Sequence, residues 1–199
     1  PEIDGAAALA RVQQRLDPRA ATAGAFERES TRRPVAPAPG AHAKNVVVVL
    51  EESFGSEVVR SLTPDYPYPV DVAPELARIA GEGTLFTNAF STGNRTIRAI
   101  EATTTSLPPL PGISLVRRSA SVGLFTLPGV LARHGYATEF VYGGRALFDE
   151  MVPYLERNGV QKVVDKGDFP ADTFRTAWGV CDQAILDRAL AVVDEAYEG

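Results

Sequence analysis

An α/β layered fold with a largely parallel sheet is what this sequence predicts, and three features carry the expectation. The segment KNVVVVLEESF, residues 44–54, holds a continuous apolar run of the kind found in strands buried on both faces. Strand-like and helix-like segments then alternate along the chain. The last of them, residues 182–197, is patterned as a helix with Ile185, Leu186, Ala189, Leu190 and Val193 on one face.

Taken in order, residues 3–16 are Ala-rich and read as a short amphipathic helix. Residues 17–43 carry scattered charges and then RRPVAPAPGAH, whose prolines favour an extended, semi-rigid linker. The globular part is expected to start at Lys44, dividing the chain into 1–43 and 44–199. Residues 46–50 form strand one, 72–81 a helix with Leu76, Ile79 and Ala80 inward, and 84–89 (TLFTNA) a second strand. Residues 96–106 form a helix ended by LPPLPG, a turn that no helix continues through. Residues 124–134 make another, with Pro128 and Gly129 near its start and Gly135 at its C-terminal cap. A third strand at 137–142 runs into Gly143-Gly144, a helix at 147–158 and a fourth strand at 160–165.

Composition narrows the function. The formal charge of −5 argues against a general nucleic-acid binder, which carries a basic surface. No apolar run approaches the roughly 20 residues that span a bilayer. Cys181 is the one cysteine, which leaves no intrachain disulfide and no cysteine-based metal cluster. A chain that opens on Pro1 and stops after a helix-like segment is expected to be a piece of a longer protein. There is no P-loop, no G-x-G-x-x-G and no G-x-S-x-G.

In open α/β sheets, ligands collect at the carboxyl ends of strands and the N-termini of the helices that follow. Glu51 and Glu52, the segment STGNRT (91–96) and Gly143-Gly144 should therefore share one rim. Adjacent strand residues point to opposite faces, so one of the two glutamates can face a site and offer hard oxygen to Mg²⁺ or Mn²⁺. A solvated strand end is the competing reading. Thr96, opening a helix, would sit in the positive field of its N-terminus, where phosphate binds. Its alkoxide could attack phosphorus, with Arg95 or Arg98 balancing the oxygens; the competing reading is a plain helix cap. YGGR (142–145) could bring backbone and a guanidinium to a phosphate, or be a tight turn needing positive φ. His42 in the linker and His134 beside Gly135 are weak ligand candidates, and Trp178 reads as a core anchor.

Together, NVVVVLEESF, GNRTIRAIEATTTSLPPLPG, GYATEFVYGGRALFDEM and TAWGVCDQAILDRAL resemble the catalytic domain of lipoteichoic acid synthases and related phosphoglycerol transferases. These are sulfatase-like members of the alkaline phosphatase superfamily, and the likeness runs from residue 44 to the end, nearest to the Gram-negative type. The resemblance implies an alkaline phosphatase/sulfatase-like fold, here its N-terminal portion. It implies that Glu52, directly before Ser53, is a metal ligand and that Thr96 is both nucleophile and metal ligand. Arg95, Tyr142 and Arg145 are the substrate-binding candidates on the rim. It further implies one Mn²⁺ or Mg²⁺ ion, a phosphatidylglycerol-type lipid donor, a glycan or polymer acceptor, and a membrane-anchored enzyme working outside the cytoplasm, in the periplasm. The family completes its metal shell with a downstream Asp-His pair, and this chain has no Asp-His dipeptide. The fragment alone is therefore expected to be inactive and to bind metal poorly. The alternatives are a sulfatase- or phosphatase-type hydrolase of the same superfamily and a non-catalytic domain that binds anionic envelope lipid or glycan. Sulfatases of the usual type modify a Cys or Ser to formylglycine, and a threonine at 96 speaks against that.

Overall fold

A computed structural model describes residues 4–16 and 44–198. The expected linker at 17–43, with His42, lies outside the described residues. The chain divides into two units, Pro1–Val46 and Val47–Gly199. In the first, helix α1 (Gly5–Leu16) starts where Asp4 Oδ1 accepts from Ala6 N and Ala7 N, capping the first turn.

The second unit contains α2 (Pro74–Glu82), α3 (Thr96–Thr105), α4 (Leu127–Arg133), β1 (Glu139–Val141), α5 (Met151–Arg157), β2 (Lys162–Val164) and α6 (Asp182–Glu198). Strands β1 and β2 pair in parallel, with Phe140 opposite Val163 and Val141 opposite Val164. Alternation sends the two pairs to opposite faces. Phe140 and Val163 pack on a core of Ile97, Ile100, Val116, Met151, Tyr154, Leu155 and Val160, drawn largely from α3 and α5. Val141 joins Val164, Phe169 and Val180 on the other side, against Ala184 and Ile185 of α6. The result is a parallel sheet with helices on both faces, the α/β class expected.

Two expected strands need correction. Residues 46–50 make no strand pairing among the described residues, and their side chains are 47% to 62% exposed. Residues 84–89 likewise hold no strand, and a turn interrupts them at 87–88. An apolar run becomes a strand only when a neighbour takes its N–H and C=O groups, and no described segment does so here. The helices fared differently. The 124–134 helix starts at Leu127 because Thr126 accepts from Gly129 N over 3.1 Å and serves as its N-cap. The 147–158 helix starts later, at Met151, because Asp149 and Glu150 take left-handed backbone (φ 54° and 61°). Trp178, expected in the core, is 88% exposed at a turn where Thr176 Oγ1 accepts from Trp178 N.

Candidate active site

The turn before α3 is set by Ser91, whose hydroxyl donates to the Gly93 carbonyl over 2.6 Å. Gly93 lies so near Arg98 that a Cβ there would come within 2.7 Å of the Arg98 Cβ. Arg95 then acts as N-cap in extended backbone, and Thr96 is the first helical residue. Its hydroxyl does not cap the helix. It donates to Glu52 Oε2 over 2.5 Å, across 44 positions of sequence. The helix's first N–H groups, which have no partner within it, surround that hydroxyl with positive potential. Glu52 itself is followed by Ser53 in left-handed backbone (φ 56°), a sharp bend directly after the carboxylate.

An open cleft of about 240 Å³ forms around this pair, lined by Glu52, Asn94, Arg95, Thr96, Ile97, Tyr142, Phe148, Asp149 and Met151. Tyr142 enters from the end of β1, and burial raises its phenol pKa above the usual range, with the charges of Glu52 and Asp149 adding to the effect. The glycines after it serve close packing, since neither takes positive φ. A Cβ on Gly144 would come within 2.7 Å of the Tyr142 ring, and one on Gly143 within 2.4 Å of Ile185 Cδ1.

Of the residues expected at the rim, Glu52, Arg95, Thr96 and Tyr142 share this cleft, whereas Arg145 is exposed and outside its lining. Glu51 is exposed and also outside it. Arg98 turns away from the cleft: its guanidinium donates to the carbonyls of Leu110 and Gly112 and to Glu101, so it fastens the Pro-rich loop. His134 caps α4 and is exposed. The residue missed from sequence is Asp149. It accepts from Arg95 Nη2 over 3.4 Å and pairs with Arg117 Nη1 at 3.7 Å. FDEM closes one of the blocks that carry the family resemblance, but nothing local points to partners 54 and 32 positions away.

The donor set of Glu52 and Thr96 is all oxygen, which suits a hard divalent cation. Two donors are fewer than the six such a cation takes. Among the described residues, no group of three His, Cys, Asp or Glu side chains is assembled for a metal.

A parallel sheet with helices on both faces and a hydroxyl, carboxylate and guanidinium at one rim agrees with an alkaline phosphatase/sulfatase-like fold, and comparison with known proteins shows that fold. A family model described as Sulfatase matches residues 44–198, and the chain belongs to that family. The solved structure of a protein in the alkaline phosphatase superfamily from Vibrio parahaemolyticus is 35% identical, with a TM-score of 0.68 over 74% of this chain and 35% of that one. The crystal structure of the lipoteichoic acid synthase LtaP from Listeria monocytogenes aligns at 18% identity and a TM-score of 0.49, over 53% of this chain and 26% of that one. The chain thus spans about a third of the length of the Vibrio protein, 35%.

Proposed function

We propose that residues 44–199 are the N-terminal part of the catalytic domain of a phosphoglycerol transferase, with 1–43 a helix and linker ahead of it. The enzyme moves glycerophosphate from a phosphatidylglycerol-type lipid to an envelope glycan or polymer. One observation carries the reading: a threonine hydroxyl at a helix N-terminus, aimed at a carboxylate 2.5 Å away, inside a cleft that also holds an arginine. Thr96 Oγ1 attacks phosphorus with its proton directed at Glu52 Oε2. As the Oγ1–P bond forms, the P–O bond to the lipid breaks, and the leaving diacylglycerol oxygen takes the proton that Glu52 accepted. An acceptor hydroxyl then attacks the same phosphorus, the P–Oγ1 bond breaks, and the acceptor's proton passes by way of Glu52 to Thr96 Oγ1.

Glu52 and Thr96 would hold one Mn²⁺ or Mg²⁺ ion together with ligands from outside this chain. When bound, the ion would lower the threonine's pKa and offset charge on the phosphoryl oxygens. The α3 N-terminus and Arg95 oppose the same charge, while Tyr142 borders the substrate. Arg145 reaches the substrate only from outside the cleft. The working enzyme faces the periplasm and is tied to the membrane by segments beyond these residues; among the described residues no helix is long and apolar enough to cross one.

The test is to incubate the full-length protein with fluorescent phosphatidylglycerol and Mn²⁺ and to follow diacylglycerol release. Thr96→Ala and Glu52→Ala should each lower release about a thousandfold or more. Mass spectrometry should find a glycerophosphate adduct on Thr96 of the wild type. Release that survives both substitutions overturns the assignment.

A further inference from the structure

Asp149 is the one carboxylate in the cleft lining besides Glu52. Its side chain is 11% exposed, whereas the Arg95 and Arg117 side chains that meet it are 59% and 48% exposed. Each carboxylate oxygen faces a different arginine: Oδ2 takes Arg95 at 3.4 Å, and Oδ1 takes Arg117 at 3.7 Å. One seated negative charge thus gathers two positive ones, so that with Glu52 the charges at and beside the cleft are close to balance. Each guanidinium has five N–H donors, so neither is used up by one carboxylate oxygen.

The backbone points the same way. Asp149 and Glu150 are consecutive non-glycine residues in left-handed conformation, at φ 54° and 61°. Such a conformation is strained and persists where its surroundings hold it. Here the bend turns the Asp149 carboxylate toward arginines from two other segments. Arg95 is the N-cap of α3. Arg117 closes a short 3-10 turn at Leu115–Arg117, capped by Ser114.

We infer that Asp149 is a positioning residue: braced through its other oxygen by Arg117, it fixes Arg95 to receive the non-bridging oxygens of a phosphodiester at Thr96. This rests on the reading that Thr96 reacts with an anionic phosphoryl group. A mobile arginine must be ordered each time substrate binds, whereas one already tied to Asp149 loses less freedom.

Charge alone predicts the opposite outcome on mutation, which makes the inference testable. Removing a carboxylate beside an anion site should tighten anion binding if Asp149 acts only through its charge. If it positions the arginines, binding should weaken. Asp149→Asn tolerates left-handed backbone and removes the charge, while Asp149→Gly keeps the backbone freedom and removes the whole side chain. Each variant of the full-length protein is titrated calorimetrically with glycerol phosphate and assayed for kcat and KM on phosphatidylglycerol.

Both variants should bind glycerol phosphate about tenfold more weakly, as should Arg117→Gln, with the lipid effect falling on KM more than kcat. Unchanged or tighter binding in Asp149→Asn, full affinity in Asp149→Gly, or no binding by the wild type overturns the inference. If the wild type releases no diacylglycerol yet the variants lose glycerol phosphate affinity, the transferase reading fails and the positioning role of Asp149 stands.

Discussion

Glu101 and Ser114 meet at 2.7 Å in a place that solvent does not reach. Glu101 is a helix residue of α3, and Ser114 lies beyond the Pro-rich loop. The same carboxylate oxygen accepts from Leu115 N at 3.2 Å and from Arg98 Nη1 at 3.1 Å. The contact therefore fastens the 107–115 segment to the helix that begins at Thr96. It also fixes the turn that carries Arg117 to Asp149.

Burial would push the Glu101 carboxyl up, but hydrogen bonds from Ser114, the Leu115 backbone, Arg98 and the Leu110 backbone outweigh it, and its pKa falls below the ordinary 4.5. A lowered folded pKa means that the unfolded chain binds more protons, so the stabilisation is present above 4.5 and is lost as pH drops through the folded value. Glu101→Ala leaves Arg98 and Ser114 without this partner and should cost about 3 kcal/mol at neutral pH. Urea unfolding at pH 7 and below pH 4 should show the gap between variant and wild type narrowing in acid. A gap that stays constant with pH would contradict the charge assignment.

Asn158 is a second buried polar joint. Its Nδ2 donates to the carbonyls of Ser121 and Tyr154 at 2.8 Å each, and its Oδ1 accepts from Leu124 N at 2.8 Å. Asn158→Asp would set a carboxylate oxygen against two carbonyls, so the variant should lose about 3 kcal/mol at pH 7. Protonation restores one donor, which raises the carboxyl's folded pKa and makes the variant recover stability as pH falls. Denaturation midpoints across pH 4–8 check the direction of that slope.

The close approach of Gly143 and Gly179 makes a third prediction. A Cβ on Gly179 would fall 2.2 Å from the Gly143 carbonyl oxygen, a rigid backbone atom, whose partner is Val180 N at 2.9 Å. A Cβ on Gly143 meets first the far end of Ile185, which can move, although the Val180 carbonyl is 3.1 Å away. Gly179→Ala should therefore destabilise by about 2–3 kcal/mol and Gly143→Ala by less. Thermal melts rank the two, and an equal cost would mean that the Gly143–Gly179 contact yields freely.

How much of this was legible beforehand follows from the range of each interaction. Helices α2, α3 and α6 announce themselves through apolar spacing and local punctuation, which are short-range properties. Residues 46–50 show the other case: four valines state a need for burial but do not name the strand that would pair with them. Arg95 and Arg98 both flank Thr96, and the expected place on the rim favours Arg95. The three-residue step around the helix separates them, sending Arg98 to the carbonyls of Leu110 and Gly112 and leaving Arg95 at the cleft. Asp149 was invisible because its meaning lies in Arg95 and Arg117, both distant in sequence. Trp178 was misplaced for a related reason: a large aromatic reads as core until the turn beneath it turns out to face solvent.

Ser53 carries the last prediction. Its φ of 56° places a residue with a Cβ in left-handed backbone directly after Glu52, where the chain must turn once the carboxylate has met Thr96. Glycine adopts that conformation without penalty, so Ser53→Gly should keep both stability and the Glu52 geometry. A β-branched residue cannot adopt it cheaply: Ser53→Val should cost about 1–3 kcal/mol or force the bend to relax. Relaxation would pull Glu52 away from Thr96, so the valine variant should lose diacylglycerol release in the full-length enzyme while the glycine variant retains it. If valine and glycine behave alike in both melting temperature and release, the bend at Ser53 has no part in aiming Glu52.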